Sequence, residues 1–159
     1  MLLTDILKSP EMLDLFRSRS PTHGDLGAEL TIDPDGVPLL RLPYQSRFAR
    51  SQTRPALHAG VVMTAMDSSM GLATMLAMKE LSSLATLELR YDELRIPENE
   101  DGISIRSQCE SIDDGVAYLT STASDSTGVF ARAVARFILT PGSVSFVESA
   151  MAAMSGKQI

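Results

Sequence analysis

The sequence has 159 residues, enough for one domain with a sizeable core. Fourteen Lys and Arg against twenty Asp and Glu give a net charge of −6, which argues against nucleic acid and anionic membrane surfaces as partners but leaves room for a local basic cluster that binds a phosphorylated group. The single cysteine, Cys109, forms no internal disulfide or zinc motif; His23 and His58 lie too far apart to suggest a metal site, and no glycine-rich phosphate loop is present.

In chain order, Leu3, Ile6, Leu7, Met12, Leu15 and Phe16 recur at roughly helical spacing behind a candidate N-cap, Thr4, and predict a short amphipathic N-terminal helix. Asp5, Lys8, Glu11 and Asp14 interrupt those apolar residues before an uncharged secretion core can form, so a cytoplasmic protein is expected. Leu26 to Ile32 and Val37 to Leu42 flank Asp33-Pro34-Asp35-Gly36, a strong turn signal, and predict an antiparallel hairpin. Tyr44 to Leu57 is polar, rich in Arg and without periodicity. It reads as a long loop, and such loops are often functional.

From Ala59 to Met78 the chain is almost wholly apolar, and Asp67 is the only ionisable residue there. A transmembrane helix, a core helix with a satisfied buried carboxylate, and a core helix carrying a catalytic carboxylate all fit that run by length. The first is disfavoured by the cost of Asp67 in a bilayer, by the many small and hydroxyl residues, and by the strand-like remainder of the chain.

After this helix the period changes to two. Leu84 to Leu94, Gly102 to Ile112, Val116 to Ser124 and Val129 to Leu139 predict four strands, separated by turn-rich stretches such as Asp113-Asp114-Gly115 and Asp125-Ser126-Thr127-Gly128. The tail from Pro141, with Val144, Phe146, Val147, Ala150, Met151 and Met154, suits a terminal helix. A hairpin, one apolar helix and a four-stranded meander have one economical arrangement, a single antiparallel sheet curled around the helix. Small residues at Ala117, Ser121 and Ala123, or Ala131, Ala133 and Ala135, would let the helix approach. That α+β shape is the hot-dog fold, here one domain over 1–159 with its core at about 26–140.

The motifs resemble those of hot-dog acyl-CoA thioesterases of the phenylacetate-degradation type, in the 4-hydroxybenzoyl-CoA thioesterase superfamily. There a His-Gly-Gly motif opens the central helix and an acid follows nine residues after the histidine; here His58, Ala59, Gly60 and Asp67 take those positions. Leu87-Glu88-Leu89-Arg90-Tyr91-Asp92-Glu93-Leu94-Arg95-Ile96-Pro97 is similar to the strand that follows, and Val129 to Phe137 to the closing strand. Two departures stand out. Ala59 replaces the first glycine, and the upstream asparagine of some members has only Gln52 as its nearest polar counterpart.

The resemblance implies hydrolysis of an acyl-CoA thioester without metal or redox cofactor, in a homodimer that is often a dimer of dimers. Physically, such chemistry needs donors for a developing oxyanion and a base or nucleophile near the carbonyl carbon. The unpaired N–H groups near Ala59 and Gly60 qualify as donors, and Asp67 as the group that activates water or attacks directly. Eight residues of helix rise about 12 Å at ~1.5 Å each, so one chain cannot bring both to one carbonyl, and a two-fold dimer can solve this by bringing the helix N-terminus of one subunit to Asp67 of the other. His58 is expected to line the site. Ser68 and Ser69 lack an adjacent histidine and suit helix packing better than nucleophilic attack, with Ser68 placed near the substrate. Arg54, Arg90 and Arg95 are candidates for the CoA phosphates. Two alternatives stay open: a hot-dog module that binds acyl-CoA without turnover, and a hot-dog dehydratase or hydratase.

Overall fold

The computed structural model describes residues 21–79, 82–98 and 100–140; the expected N-terminal helix and C-terminal tail lie outside them. A short helix, α1 (Pro21–Leu26), leads into the hairpin of β1 (Glu29–Ile32) and β2 (Pro38–Leu42). Leu26 therefore ends a helix instead of starting a strand. The stop is set by Gly27, whose φ of +63° is the left-handed conformation that closes helices. In the hairpin turn the Asp33 carboxylate accepts hydrogen bonds from the backbone N–H groups of Asp35 at 3.0 Å and Val37 at 2.9 Å. An aspartate there closes the turn on its own backbone.

The stretch expected to be a loop holds more structure than its pattern suggests. A 3₁₀ turn (Ser46–Phe48) is followed by a small antiparallel pair, β3 (Ala49–Ser51) and β4 (Arg54–Leu57). Strands of three and four residues are too short to show alternation. Distant contacts hold them instead: the His58 N–H donates to the Phe48 carbonyl at 2.9 Å, and the Arg50 guanidinium forms a two-pronged ion pair with Glu93.

The apolar run folds as one helix, α2 (Ala59–Met78), closed by Lys79 in the left-handed conformation. Four long strands follow: β5 (Leu84–Glu93), β6 (Ile103–Asp113), β7 (Val116–Asp125) and β8 (Gly128–Leu139). With the first hairpin they form a six-stranded antiparallel sheet in the order β1-β2-β6-β7-β8-β5. Strand β5 is thus an edge strand.

The helix packs chiefly on β6 and β7. Both proposed sets of small residues face it: Ala117, Ser121, Ala123, Ala131, Ala133 and Ala135 are all buried. Val62, Ala65, Met66, Met70 and Ala73 fill the helix side of this seam, where burying a side chain as large as Met contributes about 1.5–3 kcal/mol. By length and hydropathy α2 matches a membrane span, but this seam accounts for its apolar residues. The sheet covers one side only. On the other, Met63 and Thr64 are exposed and Asp67, Ser68 and Gly71 half-exposed.

Candidate active site

The N-terminus of α2 follows β4 directly, with His58 as N-cap. The Gly60 N–H donates to His58 Nδ1 at 3.1 Å, and the Val61 and Val62 N–H groups donate to the His58 carbonyl at 2.9 and 3.3 Å. Ala59 is thereby left as the first-turn residue whose N–H carries no such bond among the described residues. It is half-exposed, and the helix dipole favours an anion in front of it. A Cβ at residue 60 would lie 3.2 Å from His58 Nδ1, so the capping imidazole is what requires glycine there. No such contact governs residue 59. Its φ is not positive, and an alanine there keeps the N–H in place.

Asp67 lies two turns further along α2, about 12 Å from Ala59 by helix rise. Its carboxylate is half-exposed, and its Oδ1 accepts a hydrogen bond of 2.9 Å from the Thr86 hydroxyl of β5. Neighbouring hydroxyls are engaged along the helix: Ser68 donates to the Thr64 carbonyl at 3.0 Å, and Thr64 to the Gly60 carbonyl at 2.8 Å. Ser69 faces the sheet at 2% exposure, which removes it from any reaction with an external ligand.

No protein-family model and no curated protein matches the sequence. Solved structures do match. A thioesterase family protein from Silicibacter pomeroyi superposes with a TM-score of 0.70 at 24% identity, over 82% of this chain and 96% of its own. A thioesterase from Haemophilus influenzae gives 0.72 at 16%, over 83% and 90%. A phenylacetic acid degradation-related protein from Ralstonia eutropha gives 0.62 at 19%, over 75% and 89%. The chain has the hot-dog fold.

Within this hot-dog domain the candidate cations separate into different places. Arg95 forms a two-pronged pair with Asp125 at 2.6 and 2.7 Å and also donates to the Gly128 carbonyl. The Asp125 carboxylate is fully buried and additionally accepts from the Glu98 and Thr127 N–H groups; the guanidinium, above all, holds it well below the usual carboxylate range. Arg95 is thus a clamp between two loops. Arg90 pairs with Asp92 along β5, on the outer face of the sheet and away from Asp67. Arg54 lines an open cleft of about 520 Å³ with Ile96, Pro97, Glu98, Asp101 and Ser126. No ion pair of Arg54 occurs among the described residues. Gln52 lies exposed in the β3–β4 turn, which the Arg50–Glu93 pair ties to β5. Arg50 pulls the Glu93 carboxyl below its ordinary range, while burial and the Glu93 charge push Tyr91 beside it up to about 12. Thr86 and Arg50 were not legible as site residues. Their roles come from partners 19 and 43 residues away.

Proposed function

We propose that this protein hydrolyses an acyl-CoA thioester to a carboxylic acid and free CoA. The observation that carries the reading is a carboxylate held by a hydroxyl on the open side of the same helix whose first N–H group is unengaged. Ala59 N–H would stabilise the oxyanion that develops on the thioester carbonyl, an interaction strongest where charge appears during reaction. Asp67 would take a proton from attacking water, or attack the carbonyl carbon itself to give an anhydride that water then opens. In both routes the C–S bond breaks and the thiolate leaves as free CoA after protonation. The likeness in fold to structures described as thioesterases supports the same chemistry. A dehydratase would need a histidine converging with the acid; His23 is buried and His58 is engaged as a cap.

We infer further that each site is shared by two chains of a homodimer. One chain cannot bring Ala59 and Asp67 to one carbonyl. The open side of α2 and the free edge of β5 adjoin, and both call for a covering partner. Gly71 adds support, because a Cβ there would meet nothing within 4 Å among the described residues, and glycine leaves room for close approach of a second helix. Arg54 would meet a CoA phosphate from the rim of its cleft, and Gln52 would lie near the site opening.

The test is a thiol-release screen of the purified protein over short, medium, long and aryl acyl-CoAs, with acyl carrier protein thioesters as a second arm. Release above buffer for an acyl-CoA supports the reading; none from either carrier ends it. Mixing Ala59→Pro with Asp67→Asn chains tests the shared site, because a heterodimer has one site with both lesions and one with neither. Activity should return on subunit exchange. Heterodimers as inactive as their parents would show that sites are not shared.

A further inference from the structure

A regular strand sends alternate residues to opposite faces, so Leu84 and Leu89, five apart, should lie on different sides of β5. Both pack against the core. The parity changes at Leu87: Thr86 pairs with Phe137 and Glu88 with the next residue of β8, Arg136, which leaves Leu87 as the extra residue of a β-bulge, 54% exposed. Beyond the bulge Glu88 faces outward, where it forms an ion pair with exposed Arg136, while Leu89 and Tyr91 return to the core. Before it, Thr86 turns toward α2 beside the buried Phe137 and donates to Asp67. Were the alternation carried back from Leu89 without a bulge, Leu87 and Ala85 would face the helix and Thr86 would face away.

We propose that Thr86 is a positioning residue for Asp67 and that the bulge at Leu87 is the device that aims it. The inference rests on the thioester-hydrolase reading above. No other side chain among the described residues donates to Asp67, since the adjacent Ser68 hydroxyl is turned back to the Thr64 carbonyl. The β-branched threonine has few χ1 choices, so its hydroxyl is a well-fixed donor. With Oδ1 tied to β5, the half-exposed carboxylate is restrained and its second oxygen Oδ2 has no hydrogen-bond donor among the described residues. That oxygen is the one left to meet water or the carbonyl carbon, and orientation of a reacting group is worth large rate factors.

The experiment compares kcat and KM for Thr86→Val and Thr86→Ser, beside wild type and Asp67→Asn, on the best thioester of the screen. Thr86→Val keeps the shape and removes the donor, so kcat should fall roughly tenfold to a hundredfold, the scale of one hydrogen bond to a charged group, with KM within about twofold. Thr86→Ser should recover most of that loss. A wild-type kcat in Thr86→Val, or equal losses in Val and Ser, overturns the proposal. If in that case Asp67→Asn is inactive, the hydrolase reading survives alone. If wild type cleaves no thioester, both fall together.

Discussion

The two sides of α2 use different residues for different ends. Toward the sheet, Val62, Ala65, Met66, Met70 and Ala73 are sealed against alanines and serines of β7 and β8. Away from it, Met63, Thr64, Asp67, Ser68 and Gly71 stand open or half-open. The open side is the more polar, with hydroxyls at Thr64 and Ser68, and it alone carries a charge. A buried Asp67 would need a full set of partners to offset its desolvation, whereas on the open side one hydroxyl suffices and the remaining lone pairs stay available. Where a helix has one charge, the side that carries it is the side that meets something other than the core.

The largest expected effect is on the open side. Asp67→Asn should lower turnover ~10²-fold to 10⁴-fold, the range for a lost acid–base group, while thermal unfolding stays within a few degrees of wild type. Wild-type turnover by the purified variant would make Asp67 structural. Next comes the helix start, where Ala59→Pro suits the first helical position but removes the N–H. Its kcat should fall about 10²-fold to 10³-fold, as for one lost oxyanion donor, with Ala59→Gly within a fewfold of wild type. Equal, small changes in both would remove residue 59 from the chemistry. On the sheet side, Met66→Ala should cost about 3 kcal/mol by denaturant titration through cavity formation, with the site's groups untouched. The smallest effect on chain stability, under about 1 kcal/mol, belongs to Gly71→Leu, because leucine is the better helix former and its Cβ meets nothing within 4 Å among the described residues. Light scattering should nonetheless show it as a monomer. If Gly71→Leu stays dimeric, this side of α2 is not the interface.

Much of the fold was legible because it is written in local chemistry. The Asp33-Pro34-Asp35-Gly36 turn, the bounds of α2 and the strands of the meander follow from turn residues and periodicity, and the structure has them within one to three residues. The β3–β4 pair was missed because its strands are too short to carry a period and are held by Arg50 reaching Glu93. The Arg95 clamp is hidden for the same reason, since its partner Asp125 lies 30 residues on. Asp67 announced itself by being charged in an apolar run; Thr86 could not, because a bulge shifts strand parity without changing the composition around it.

The free edge of β5 also bears on how the protein reaches its working state. Along this ten-residue strand the backbone N–H and C=O groups of alternate residues point away from β8, and it carries no proline or lysine to discourage another strand. A newly made chain therefore exposes a template that any extended segment nearby can extend. If two chains meet along this edge, as proposed above, correct pairing competes with aggregation once β5 has docked on β8, and both processes are at least bimolecular. Refolding yield should then depend on protein concentration and on how fast the right partner arrives, so slow synthesis at low temperature is the regime in which this domain is best obtained in soluble form.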